Sequence, residues 1–307
     1  MGTSAGEASI LVAIDDGEDR HVALELAALE ALAERRPLGL VHVLHPVGST
    51  SGSRRQEGDV TEAAHRLLEE TASVARSITG GGVDVRTSVL GGLPLDALLR
   101  AAADADRIVL QRRHLSPLDN LINGPVAAGV SARADVPVVV VPEGFRGWRP
   151  AGQRLVTVAA KQWEQDAGLF ERGFRLAAAM GAELRVLSVL DRRGHHDAGG
   201  LADAIAAMRL SLREQVHAWH LRHPGVPVTV QVLVGRPVLV LLEASAESDL
   251  LLISRPFSRL RVNGLGTLSR ALIREAVCAV EVVPGAAAAH TVPGGSHRVA
   301  ERQGSLS

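Results

Sequence analysis

Few residues in this chain stand where their types and spacing could do chemistry. Two adjacent carboxylates, Asp15 and Asp16, close the apolar run "ILVAID" at residues 10–15. Such a pair can hold a divalent cation or cap the turn or helix that follows. His195 and His196 sit beyond Asp191-Arg192-Arg193-Gly194, with no third ligand at a spacing that would complete a metal site, so they read as loop histidines. The single lysine, Lys161, is not preceded by the glycines of a G-x-x-x-x-G-K-[ST] phosphate loop, and no G-x-S-x-G nucleophile elbow occurs. One cysteine, Cys278, excludes a disulfide framework and reads as a buried thiol in a reducing compartment. These residues predict a protein that is not an enzyme and has no metal centre.

The composition narrows the classes further. A length of 307 residues suits two domains, and 46% hydrophobic with 22% charged residues is a globular balance. A net charge of −1 and 2% aromatics, with no Tyr, speak against a nucleic-acid partner and against an anionic membrane. Residues 1–9 are small and polar, without the basic start and apolar run of a leader. The longest apolar runs, such as residues 136–141, are too short to span a bilayer. The expected setting is soluble and cytoplasmic.

The elements that must position these residues come twice. "ILVAID" is answered by "LVTVAA" at residues 155–160, and "LGLVHVL" by "LRVLSVL". Two G-x-P turns, Gly92-Leu93-Pro94 and Gly235-Arg236-Pro237, and two closing strands ending in Pro142 and Pro284 keep nearly the same offset, about 143 residues. "RIVLQ", "VPVVVVP", "DLLLIS" and "AVEVVP" are continuous apolar runs, the pattern of strands covered on both faces. Between them run helical patterns at residues 21–36, 63–78, 95–103, 169–180, 201–220 and 238–246. In the first, Leu24, Ala27, Ala28, Ala31 and Leu32 form the inward stripe, with Glu25, Glu30, Glu34 and Arg35 off it.

Strand–helix alternation with right-handed crossovers gives an α/β fold of two tandem doubly wound parallel-sheet domains. The expected domains are residues 1–147 and 148–286, joined through an irregular linker at 143–153. Residues 48–58 read as a surface loop, and 287–307, rich in Ala, Gly and Ser, as a disordered tail. The last strands, 136–141 and 279–283, are too apolar to remain open edges and are expected to pair with each other as an intramolecular domain pair.

This order resembles the universal stress protein family in its tandem form, over about residues 9–143 and 153–285. "GPVAAGVSARADVPVVVVP", "GTLSRALIREAVCAVEVVP" and "ILVAIDDGED" carry the likeness. It implies an adenine nucleotide alpha hydrolase-like fold. In nucleotide-binding members it implies a site built from an aspartate ending the first strand, G-x-x-G, nine residues, and then G-[S/T]. Glycines there admit backbone N–H groups to phosphate, and a helix N-terminus favours the anion.

Carried onto this chain, the resemblance implies a base-binding end at Asp15 and Val43 in the first half. Gln111 and His114 replace the two G-x-x-G glycines, and Gly124 is followed by Pro125 where a hydroxyl is expected. In the second half Ile253 and Pro256 replace the glycines and Ala159 the aspartate. Gly266, Thr267 and Ser269 remain as an anion cradle. Arg112, Arg113, Arg255, Arg259 and Arg261 are candidates either to supply point charges to phosphate or to stand as solvated loop residues. The expectation is a non-catalytic stress-response or regulatory protein with degenerate nucleotide motifs, working through protein partners or a homo-oligomer, with no firmly expected cofactor. The alternative is a sensor gated by ATP or a related adenine nucleotide through the first half.

Overall fold

The structure is a computed structural model that describes residues 9–15, 17, 20–44, 54–112, 124–160, 167–191, 198–255 and 265–285. In the first half, β1 (Ser9–Ala13), α1 (Arg20–Glu34), β2 (Leu38–Leu44), α2 (Arg54–Thr79) and β3 (Val85–Gly91) come first. They are followed by α3 (Pro94–Ala102), β4 (Ala105–Gln111), α4 (Gly124–Arg133) and β5 (Val138–Val141). The second half repeats the series as β6 (Leu155–Ala159), α5 (Ala167–Met180), β7 (Glu183–Leu190), α6 (Ala198–His220) and β8 (Val228–Val234). It closes with α7 (Pro237–Glu247), β9 (Leu250–Arg255), α8 (Thr267–Glu275) and β10 (Ala279–Pro284).

All ten strands join one sheet in the order β3-β2-β1-β4-β5-β10-β9-β6-β7-β8. Pairing is parallel within each half and antiparallel only between β5 and β10, where Val139 stands opposite Glu281. The apolar runs fall where such a sheet needs them. All four residues of β5 are buried, and so are Leu250 to Ile253 of β9. Each G-x-P turn sets a helix start, with Pro94 and Pro237 at the first position of α3 and α7. Proline fits there because its missing N–H would have no partner in the helix. Gly92 holds φ +119°, which a side chain would resist.

Close packing of α5 on the sheet depends on one glycine. A methyl group at Gly173 would stand 2.6 Å from Val158 Cγ2 and 3.4 Å from Leu184 Cδ1. The linker is anchored as well. Phe145 is buried, and Arg149 donates to Asp249 Oδ1 from both its backbone N–H and its Nε, each at 3.0 Å. The second oxygen of Asp249 accepts from the Leu155 N–H, so one carboxylate ties the linker to the start of β6.

Two sequence expectations change. Residues 54–58 belong to α2 and not to a loop. The run "RRQEGDVTE" carries no apolar stripe, so periodicity marks the helix only from residue 63 onward. On α1 the inward face is also different: Leu32 is 39% exposed, whereas Glu30 is fully buried. Ala23, Ala27, Glu30 and Glu34 follow the i, i+4, i+7, i+11 spacing of a single face, from which Glu30 and Glu34 meet Arg172 of α5 in the other half.

Candidate functional site at the strand ends

The sheet order places β1 beside β4 in one half and β6 beside β9 in the other, with their crossovers leaving in opposite directions. Doubly wound sheets open a crevice at the carboxyl ends of such strand pairs. The candidate residues of the first half gather at that end. Ala13 of β1 is level with Val41 of β2 and Leu110 of β4. Asp15 and Val43 each lie two residues beyond that row, and Gln111 lies one beyond it. Gly124 opens α4. His114 lies outside the described residues.

The side chains are already engaged. Asp15 Oδ1 accepts the Gly17 N–H at 2.9 Å, closing an Asx turn beyond β1. His42 Nδ1 lies 2.8 Å from the Ile14 carbonyl and braces the same strand end. Gln111 spans the corner where the family pattern has glycine. Its Oε1 accepts from the Ala23 N–H in the first turn of α1 at 3.2 Å, and its Nε2 donates to the Pro142 carbonyl at 3.5 Å. The Gln111 side chain thus ties the end of β4 to α1 and to the residue after β5.

In the second half, Ala159 ends β6 level with Leu187 and Ile253, as Ala13 ends β1. It is therefore the counterpart of Ala13 and not of Asp15, whose own counterpart, residue 161, lies outside the described residues. Gly266 is the N-cap of α8, with extended φ −60° and ψ 167° and no side-chain cap. Gly266 and Thr267 are exposed, and a Cβ added at Gly266 would meet nothing within 4 Å. Among the described residues, none covers this helix start, the kind of position that favours an anion. Ser269 lies elsewhere: it is 5% exposed, on the buried stripe with Leu272 and Ile273. Residues 256–264, with Pro256, Arg259 and Arg261, lie outside the described residues, as do Arg113 and His195-His196.

Arg112 and Arg255 are half-buried, and each is tied to the opposite half of the chain. Arg112 Nη1 donates at 2.9 Å to the Ile273 carbonyl near the end of α8, in the other half. Arg255 Nη1 donates at 3.2 Å to the Ser131 carbonyl near the end of α4. The preceding carbonyls, Leu272 and Val130, accept from Ala276 and Ala134, so each arginine serves the next carbonyl left without an intrahelical donor. Burial lowers the pKa of both guanidiniums, partly offset by Glu143 near Arg112 and Asp135 near Arg255. Sequence reasoning missed these roles because each partner is a backbone atom of the opposite half.

Other features lie away from the crevices. A cavity of about 330 Å³ is lined by Arg213, Val216, His217, His220, Val228 and Val230, between α6 and β8, and none of the candidate residues lines it. Size alone does not make it the ligand site, because it lies on the sheet margin and not at a crossover point. Burial pushes the Cys278 thiol up to about 12, so it is chemically quiet. Among the described residues there is no cluster of three or more potential metal ligands, and no helix is long and apolar enough to cross a membrane.

This doubled fold, with its two strand-end crevices, is that of the universal stress proteins. The family's sequence profile matches residues 8–142 and again 154–284, and the chain belongs to the universal stress protein family. Among curated proteins it is similar to universal stress protein Rv1996 of Mycobacterium tuberculosis H37Rv, at 26% identity over 299 residues, covering 89% of this chain and 94% of the relative. Universal stress protein Rv2005c of the same strain is 23% identical over 282 residues, covering 87% and 94%. Among solved structures, a universal stress protein from Archaeoglobus fulgidus DSM 4304 shares the fold, with a TM-score of 0.69 at 18% identity, covering 92% of this chain and 98% of that one.

Proposed function

We propose that this tandem universal stress protein is a non-catalytic regulator whose nucleotide motifs are degenerate and whose output is protein contact. The observation that carries this reading is Gln111, bonded to both α1 and the end of β5 across the phosphate corner of the first half. The second half keeps the Gly266 helix start but lacks the aspartate that would hold a base. Each charge-assisted hydrogen bond lost costs about 1.5–3 kcal/mol, so losing two weakens a micromolar site by about 10²–10⁴-fold. Titration calorimetry of the dialysed protein with ATP and Mg²⁺ tests it, with a turnover assay alongside. Neither heat nor hydrolysis is expected, and micromolar binding or turnover overturns the reading.

A second reading, an adenine-nucleotide sensor working through the first half, draws on one observation. Asp15 and Val43 lie at matching heights at the ends of adjacent strands. In that case binding is present in the wild type and lost in Asp15→Ala, with no turnover.

A further inference from the structure

The joint between the halves contains a buried ion cluster with more acid than base. Glu30 and Glu34 come from α1, Arg107 from β4, Arg172 from α5 and Glu281 from β10. Arg107 Nη2 lies 2.7 Å from Glu30 Oε2, and its two terminal nitrogens grip Glu34 at 3.1 and 3.0 Å. Arg172 donates to Glu281 Oε1 at 2.7 Å, to Glu34 Oε1 at 2.7 Å and to Glu30 Oε2 at 3.4 Å. Side-chain exposure is 0% for Glu30, 1% for Arg107, 3% for Arg172 and 0% for Glu281. Asp106 of β4 pairs separately with Arg36 at 3.3 Å, beside the cluster in sequence but half-exposed.

Three carboxyls face two guanidiniums, so the fully ionised cluster would keep one uncompensated negative charge away from water. The hydrogen bonds show a shortage at the same place. Glu30 Oε1 and Glu281 Oε2 are buried acceptors with no donor and Arg107 Nε a buried donor with no acceptor, while both oxygens of Glu34 are served. Surplus charge and missing donor thus coincide at Glu30, and a single proton there removes the first and supplies a donor.

We propose that Glu30 holds a proton in the folded protein at neutral pH, and that losing it at alkaline pH loosens the joint between the halves. The surroundings of each carboxyl agree. For Glu30, burial disfavours the charged form most. Arg107 and Arg172 counter it only in part, and the charges of Glu281 and Glu34 add to the upward push. For Glu34, burial also pushes upward, but Arg172 and Arg107 outweigh it and hold the group at about 2, leaving it ionised.

The sign follows from linkage. A carboxyl whose folded pKa lies above its unfolded value of 4.5 stabilises the fold fully below that value. The contribution falls as pH rises, by about tenfold in the unfolding constant per pH unit, until the folded pKa is passed. The experiment is urea unfolding of the full chain from about pH 5 to about pH 9, for wild type, Glu30→Gln and Glu281→Gln. An amide supplies the donor permanently and removes the surplus charge. Either variant should therefore gain stability relative to wild type by about tenfold per pH unit from about pH 5 up to the folded pKa, and no further above it. Infrared spectra of the native protein with labelled glutamate should show a protonated carboxyl at neutral pH, a readout that stands even where a variant fails to fold. Equal pH slopes in all three proteins, or absence of the protonated band, overturn the proposal.

Discussion

Arg112 and Arg255 occupy equivalent positions in the two halves, and each donates to a carbonyl near the end of the other half's last helix. A cation at a helix C-terminus meets both the unpaired carbonyls and the negative end of the dipole. The exchange is reciprocal, so each strand-end loop is fixed to the helix whose start forms the opposite crevice.

Arg112→Ala and Arg255→Ala should therefore each cost about 1–3 kcal/mol, the range for a hydrogen bond from a charged donor. Urea denaturation measures the loss. Hydrogen exchange should speed up at the end of α8 in the first variant and at the end of α4 in the second.

Arg172→Met removes the residue that touches all three buried carboxyls. Stranding them should cost about 3–5 kcal/mol. The acid side of the wild-type profile follows from Glu34. Its folded pKa of about 2 lies below the unfolded 4.5, so its contribution is complete above 4.5 and is lost as pH falls toward 2. Glu34→Gln should flatten that acid limb in a pH series of unfolding curves.

Gln111→Gly restores the residue type of the family pattern at the end of β4. It gives up the bonds to Ala23 and Pro142, at a cost of about 1–2 kcal/mol. Calorimetry should show affinity for ATP with Mg²⁺ rising by at least about tenfold, equivalent to about 1.4 kcal/mol. Adding Asp15→Ala should cancel the gain.

Gly173→Ala places a methyl group against the branched side chain of Val158 in β6. Overpacking of this kind costs about 1–3 kcal/mol, more than the roughly 1 kcal/mol that alanine gains over glycine in a helix. Thermal unfolding should show a lower Tm.

Cys278 is buried and its thiol is pushed up to about 12. A thiol reagent should label it only in denaturant, with native labelling limited by the rate of opening.

The sheet was legible in the sequence because strands covered on both faces must be apolar throughout, as in β5 and β9. The G-x-P turns were legible because proline has few other places to go at the start of a helix. Glu30 was not, since its partners, Arg107 and Arg172, lie 77 and 142 residues away and no periodicity reports them. The start of α2 escaped for the opposite reason: its first turns are polar and carry no stripe. At the candidate site the strand-end positions were readable, but the engagement of Gln111 with α1 and β5 depends on the register of elements far apart in the chain.

The antiparallel meeting of β5 and β10 has a consequence beyond closing an edge. Two identical subunits related by a two-fold axis must offer the same residue twice, so any charge placed near the axis faces its own copy. Covalent tandem linkage lifts that restriction. Val139 can answer Glu281, and the acids of α1 can find an arginine on α5. The pairing is also independent of protein concentration, and an identical half from another chain would lack the complementary charges. The charges of the joint thus fit each half to the other and not to a copy of itself.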